Sequence, residues 1–329
     1  MSKTRIGVVI HTRLRDRLFA PEDMVRLNGL GEVVWTESPE PITVGQACEI
    51  LADCEIGVGS WGTPYPCAEL LEACPRLRLW EHAAGTVKHM FGPHLSGRGL
   101  VIASCKPANA ENVAAMTLGE IILGLWRVFE NAAANRLGPA GSPPALKVLY
   151  RATVGVIGAS QVGRRVIRLL QPFGCNVLLY DPFVSPAGAA EMGASLVADL
   201  LELCRRSDVV TLHTPDLPAT ERLLGAREFR AMRDDAVFIN TARGRCVDEA
   251  ALIAELQSGR LLAFLDVTHP EPAAADSPLR KLPNVVLTSH IAGVPATNMG
   301  RQAVDDVAAF LAGRSPMCVV TPQELDRIA

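Results

Sequence analysis

Four residues in the second half of the chain have the types and spacing to handle a carboxylic acid that carries a carbonyl. They are Arg243, Asp266, Glu271 and His290. A planar guanidinium clamps a carboxylate through two parallel hydrogen bonds, which a lysine ammonium does not reproduce. An imidazole gives a proton to a developing alkoxide or takes one from a hydroxyl, and a neighbouring carboxylate holds the imidazolium. This is the set that hydride transfer to a carbonyl acid would need. Each residue also has a plainer reading. Arg243 can cap an element, Glu271 can be a solvated acid between Pro270 and Pro272, and His290 can be a structural histidine. It is their joint placement that carries weight.

That placement follows from the runs before them. Val209–His213, Ala236–Asn240, Leu262–Val267 and Val285–Thr288 are short apolar runs that read as buried parallel strands. Ligands of an open parallel sheet bind beyond the carboxyl ends of its strands. The first such run leads to His213, Thr214 and Pro215, and the second to Thr241, Ala242 and Arg243. The third leads to Asp266 and then Glu271, and the fourth to His290 and Gly293.

Upstream, Thr153 to Asp181 reads TVGVIGASQVGRRVIRLLQPFGCNVLLYD. This is a strand, a glycine turn, an amphipathic helix and a second strand, in roughly thirty residues, the size of a βαβ unit. Gly158 permits the tight turn and Gly163 lets the helix pack close to the sheet. The helix N-terminus, at Gln161 and Val162, offers free N–H groups to a pyrophosphate. Ser160 stands where a dinucleotide fingerprint usually has its middle glycine; its Cβ crowds the backbone's approach to phosphate, and its hydroxyl partly compensates as a donor. Asp181, at the tip of the second strand, accepts from ribose hydroxyls. Its charge favours NAD over NADP, because it would repel a 2′-phosphate.

The first hundred residues keep the same rhythm, with strand candidates at Ile6–Ile10, Val33–Trp35, Ile56–Gly59, Leu77–Trp80 and Leu100–Ala103. A helical stretch, Ala110–Asn135, and a glycine- and proline-rich linker, GPAGSPP at 138–144, follow. A later helix, Asn298–Leu311, leads to a tail whose Val319–Val320 is expected to return to the first sheet. Together these imply an α/β fold of two doubly wound parallel-sheet domains, the second with about six strands.

Composition excludes several classes. The 329 residues are 49% hydrophobic and 20% charged, with net charge −3, which leaves no basic excess for nucleic acid or an anionic membrane surface. The apolar run Val113–Trp126 is interrupted by Glu120 and is too short to span a bilayer. The N-terminal MSKTRIGVVIHTRLRDR does not read as a secretory signal. Nine scattered cysteines, none in a CxxC pair, argue against a disulfide framework or a zinc site, so no metal is expected and a reducing cytoplasm is.

From about Val148 to Phe310 the chain resembles the D-isomer-specific 2-hydroxyacid dehydrogenases, the family of phosphoglycerate, glyoxylate and D-lactate dehydrogenases. The carrying motifs are GVIGASQVG, DVVTLHTPDLPATERLLG, FINTARGRCVDEAALIAEL, AFLDVTHPEP and NVVLTSHIAG, in the family's order. The resemblance implies a Rossmann NAD-binding domain at 105–293, inserted into a discontinuous flavodoxin-like substrate domain at 1–104 and 294–329. It implies an active site in a cleft between the two and a homodimer. Arg243 would bind the substrate carboxylate and carbonyl, His290 would be the acid–base, and Glu271 would favour its imidazolium. Gly158, Ser160, Gln161, Val162, Gly163, Asp181, His213, Thr214, Pro215, Thr241, Ala242, Asp266 and Gly293 would contact the cofactor, Asp266 through the nicotinamide carboxamide.

The first hundred residues match less closely. Where the family has RxGVGVDN this chain has HAAGTVKH, so Gly85 and Thr86 would supply the N–H groups for the substrate carboxylate. His82 replaces the arginine and Lys88 the aspartate, and these basic residues are expected to widen the choice of anion. Val113-Ala114-Ala115-Met116 replaces VAEH. Trp61 stands where the family places loop residues facing the substrate, as a pocket wall or as a packing residue. Two other classes remain open: a non-catalytic NAD(H)-sensing, corepressor-like protein, and a structural or interaction protein on an inert Rossmann scaffold; within enzymes, a phosphonate- or phosphite-type dehydrogenase is the neighbouring alternative.

Overall fold

The structure is a computed structural model and describes residues 3–138 and 146–325. Apart from Gly138, the expected linker at 138–144 lies outside the described residues. The chain runs β1 (Arg5–Val8), α1 (Thr12–Leu18), α2 (Pro21–Leu30), β2 (Glu32–Trp35), α3 (Val44–Leu51), β3 (Ile56–Gly59), α4 (Ala68–Ala73), β4 (Leu79–His82) and β5 (Val101–Ser104). It continues through α5 (Lys106–Leu125), α6 (Val128–Arg136), β6 (Thr153–Ile157), α7 (Gln161–Leu170), β7 (Asn176–Tyr180), α8 (Pro186–Glu191), β8 (Ser195–Leu196), α9 (Leu200–Arg206) and β9 (Val209–Leu212). The last elements are α10 (Ala226–Ala231), β10 (Val237–Asn240), α11 (Glu249–Gln257), β11 (Leu262–Leu265), β12 (Val285–Leu287), α12 (Thr297–Leu311) and β13 (Val319–Val320).

Two compact units emerge, Met1–Ala110 with Gly293–Ala329, and Glu111–Ala292. The first boundary falls inside α5 because the partners of that helix change along its length. Ala108 belongs to a core with β1, β3 and α12, and its N–H bonds Gln302 at 3.0 Å. Ala114, Ile121 and Leu125 belong to the core of the other unit.

In the first unit the sheet order is β13-β5-β4-β3-β1-β2. Strands β1 to β5 are parallel, and β13 closes the edge antiparallel to β5, with Val319 opposite Ala103. The tail thus adds a strand to the first sheet. In the second unit seven parallel strands run β12-β11-β10-β9-β6-β7-β8. The sheet is one strand wider than the expected six, because two residues, Ser195 and Leu196, pair with β7 at the edge. A strand that short has no alternation to read. Its order reverses beside β6, the position at which ligands of such sheets bind. Fully buried strands such as LAFL and VFIN carry apolar residues on both faces because helices cover both.

The helical stretch expected at 110–135 is two helices. It begins four residues earlier and breaks at Arg127, whose φ of 48° is left-handed, with a bend of 56°. Arg127 is held there by its guanidinium, which donates to Asp235 O at 2.7 Å. Tertiary bonding, not helix propensity, makes that break. No single helix among the described residues is long and apolar enough to cross a membrane.

Candidate functional site

The loop after β6 is built for close approach. Gly158 has φ 94°, and a Cβ there would stand 2.9 Å from His213 O. A Cβ on Gly163 would collide with Gly158 O, so the first turn of α7 lies directly on the strand end. Ser160 caps α7: its Oγ accepts from Gly163 N at 3.3 Å, which leaves the hydroxyl proton free to donate. Gln161 and Val162, the first two helical residues, donate to no acceptor among the described residues. Asp181 is held at the tip of β7, its Oδ2 accepting from Ala159 N at 2.7 Å and its Oδ1 from Phe183 N at 2.8 Å. On the neighbouring β9 loop, Thr214 Oγ1 is buried without a partner. Free helical amides, a glycine cradle, an ordered carboxylate and an orphaned hydroxyl fit a dinucleotide.

His213 points elsewhere. Its ring is buried with Nε2 2.9 Å from Thr211 Oγ1, and burial lowers its pKa to about 3. The ring is therefore a neutral prop under the loop, while its carbonyl lines the turn at Gly158.

Strands β10, β11 and β12 are neighbours, so the loops that follow them are too. After β10, Asn240 brackets the turn: its Oδ1 accepts from Ala242 N at 3.0 Å and its Nδ2 donates to Arg243 O at 3.0 Å. A Cβ on Gly244 would collide with Thr268 O, so this loop packs flush against the one after β11. The half-buried Arg243 turns Nη1 back to Ala242 O at 2.7 Å. Thr241 Oγ1 lies 3.1 Å from Thr117 Oγ1 on α5.

The β11 and β12 loops meet through Asp266, which is 1% exposed. Its Oδ1 accepts from Thr288 Oγ1 at 2.6 Å and Ile291 N at 2.7 Å, and its Oδ2 from Ala292 N at 2.8 Å. Its carbonyl accepts from His290 N at 2.8 Å. These bonds hold His290 at φ 56°, a left-handed conformation that costs a non-glycine residue on the order of 1 kcal/mol or more. In that conformation His290 Nδ1 meets Glu271 Oε1 at 2.5 Å, with both side chains partly open to solvent. Nδ1 then carries the shared proton toward the carboxylate, and Nε2 is left to exchange one with a ligand. Asn240 and Thr288 are the positioning residues that strand-end reasoning missed. Each lies within three residues of a predicted site residue, but nothing in its type marks it out.

Pro215, next in the β9 loop, accepts through its carbonyl from Thr220 Oγ1 at 2.5 Å and Cys246 Sγ at 3.5 Å. The remaining expected site residues lie in the other unit, Gly293 at its boundary. Gly85 is buried in the middle of the loop after β4. Ser104 Oγ donates to Ala84 O at 3.1 Å and to Gly85 O at 2.5 Å, and Ser60 Oγ donates to Ala83 O at 2.8 Å. Hydroxyls at the ends of β5 and β3, the strands on either side of β4, thus bind the loop's carbonyls. The Gly85 N–H has no acceptor among the described residues; Thr86 is half-buried beside it. Trp61, partly buried, packs against the core of this unit. Gly293 lies against Asn109, 2.8 Å from its Oδ1 to an added Cβ. His82 corrects an expectation. It is 3% exposed with Nδ1 unpartnered, and burial, then His89, lower its pKa to about 3. It is a neutral ring and offers no positive charge to an anion; Lys88, half-buried, opens the short turn 88–90. No group of described residues is arranged to hold a metal ion.

Comparison with known proteins adds a family to this geometry. The family model for the D-isomer specific 2-hydroxyacid dehydrogenase, NAD binding domain, matches residues 123–292. A D-3-phosphoglycerate dehydrogenase of Methanocaldococcus jannaschii is 31% identical over 82% of this chain, which spans about half (51%) of that relative's length. A glyoxylate/hydroxypyruvate reductase B of Citrobacter koseri is 32% identical over 92% of this chain and 96% of its own. The crystal structure of a Thermus thermophilus protein superposes with a TM-score of 0.77 at 28% identity, covering 97% of this chain and all of that one.

Proposed function

Because the chain belongs to the D-isomer specific 2-hydroxyacid dehydrogenase family, we propose that it interconverts a D-2-hydroxy acid and its 2-oxo acid with a nicotinamide cofactor. The observation that carries this reading is the His290–Glu271 pair at 2.5 Å, with His290 held in a left-handed conformation, on the loops after β12 and β11, next in the sheet to the β10 that leads to Arg243. In reduction, Arg243 binds the carboxylate and polarises the carbonyl, and His290 Nε2 gives its proton to the oxygen as it becomes an alkoxide. Glu271 orients the ring through its contact with Nδ1. The cofactor supplies the hydride. Gly158, Ser160, Gln161, Val162 and Gly163 would hold its pyrophosphate, and Asp181 its ribose. The carboxylate at Asp181 supports NAD over NADP. Residues 105–293 are assigned to cofactor binding; residues 1–104 and 294–329 are assigned to the substrate, with Gly85 and Thr86 as its carboxylate donors.

A panel of 2-oxo acids, glyoxylate and hydroxypyruvate included, with NADH and NADPH tests activity, cofactor and substrate size together. Turnover is expected with NADH, and His290→Ala should lose on the order of 10²–10⁴ in kcat/KM. An undiminished His290→Ala variant refutes the assignment. No turnover with NADH binding intact favours a sensor, and phosphite oxidation favours the phosphite-type reaction.

A homodimer is proposed through the second unit. Trp126, Val128, Phe129, Leu146, Val148 and Tyr150 are exposed near the end of α5. The Lys147 N to Leu125 O bond brings the two segments side by side, and exposed apolar side chains of this kind suit a contact between copies. Light scattering should give twice the chain mass for the wild type and a smaller mass for Trp126→Asp. The nine scattered cysteines, none in a CxxC pair, support a reducing, cytoplasmic location.

A further inference from the structure

Asp266 has an acidic neighbour that the proposed reaction does not use. One face of α5 runs along β10 and β11. At Gly124 an added Cβ would stand 2.8 Å from Val237 Cγ1 and 3.0 Å from Phe264 Cε2. Two turns earlier, Thr117 meets Thr241 just past the end of β10. Residues three and four apart share a helix face, so Glu120 lies between these two contacts on the same stripe. Across the sheet Asp266 N donates to Asn240 O at 3.0 Å, which makes Asp266 the neighbour of Thr241. Glu120 therefore lies against the strand ends from which Asp266 projects.

Its surroundings offer nothing to a negative charge. Glu120 is 6% exposed, its Oε2 has no hydrogen-bond partner, and among the described residues no lysine or arginine pairs with it. From its own helix Thr117 is the nearest polar side chain on the stripe. From the facing loops come Thr241 and Asp266, and Asp266 is the one titratable group that bears on it. Burial, and after it the charge of Asp266, raise the Glu120 pKa to about 8. The two acids thus have opposite environments. Three donors converge on Asp266, a setting for a carboxylate, and none on Glu120, a setting for a carboxylic acid.

We propose that Glu120 is a positioning residue that keeps its proton beside Asp266, so that Asp266 remains the one negative charge holding the Ile291 and Ala292 amides and, through them, His290. Losing that proton sets two like charges together in a buried site, and Asp266 loosens its hold on the loop. The consequence for catalysis rests on the function proposed above; the protonation and the hold on the loop do not.

The test uses the full chain and Glu120→Gln, which imitates the neutral acid. Infrared difference spectra between wild type and variant should show one protonated carboxyl band lost at pH 7 and one carboxylate band lost at pH 9.5. Amide exchange at Ile291 and Ala292, expressed as protection factors, should fall about tenfold between those pH values in the wild type and stay level in the variant. With NAD and the 2-hydroxy acid best used in the panel, the wild type's kcat/KM should decline above pH ~8, and the variant's should hold its plateau at least one pH unit further. A carboxylate band lost at pH 7, equal protection changes in both proteins, or identical alkaline limbs would each overturn the proposal. A wild type with no turnover refutes the proposed reaction, and the infrared and exchange results then decide this inference alone.

Discussion

Replacing Asp266 by asparagine removes one charge and one acceptor from a fully enclosed position, and the structure sets the size of the effect. The best placement of the amide puts its carbonyl where Oδ1 stands and keeps the bonds from Thr288 Oγ1 and Ile291 N. Its NH₂ then faces Ala292 N–H, donor against donor. The two retained bonds drop from charged to neutral strength, about 1 kcal/mol apiece, and the orphaned, buried Ala292 N–H costs about 1–3 kcal/mol. The sum is about 3–5 kcal/mol. The opposite rotamer keeps only the Ala292 bond and costs more. Since these bonds hold His290 in its left-handed conformation, the cost should fall on the 290–292 loop before it reaches the rest of the unit. Hydrogen exchange at Ala292 should accelerate, and kcat/KM for the best panel substrate should drop on the order of 10²–10³-fold. An Asp266→Asn variant with wild-type protection at Ala292 and kcat/KM within threefold would refute this account of how His290 is held.

Arg243→Lys should lose at least as much activity as a point charge loses against a planar fork, on the order of 10²-fold in kcat/KM; activity within a few-fold would remove Arg243 from the substrate carboxylate. Gly163→Ala must separate α7 from Gly158 O, so its melting temperature and its NADH affinity, read by fluorescence titration, should both fall, and unchanged values would contradict the close approach. Acid should destabilise the chain through its buried histidines. His213 has a folded pKa of about 3 against about 6.5 when unfolded. The unfolded state therefore binds the extra proton between those values, and stability falls as pH drops through 6.5. At pH 5.5 that amounts to about 1.4 kcal/mol for one histidine. The loss of unfolding free energy from pH 7 to 5.5 should be about 1.3 kcal/mol smaller in His213→Asn than in the wild type, and equal losses would mean that His213 is not held neutral.

Local sequence carried the frame and the reactive residues. Apolar runs closed by Arg243, Asp266, Glu271 and His290 were legible because a parallel strand buried on both faces leaves its polar residues at its ends. The glycines at 158 and 163 marked a turn and a close approach, since no other residue suits those positions. Interactions between distant segments were not legible. The break at Arg127 depends on a carbonyl 108 positions away, and the edge strand at Ser195 exists only because β7 is there to pair with it. His82 read as a cation from its type, yet burial makes it neutral.

Glu120 shows the division most clearly. In the sequence it was only a charge interrupting an apolar helix. The fold set it against Asp266 and withheld any cation, and a carboxyl group's charge depends on its surroundings more than on its own chemistry. The order of the residues determined which groups reach the rim of the sheet. Packing decided which of them are charged, which are neutral, and which way each one points.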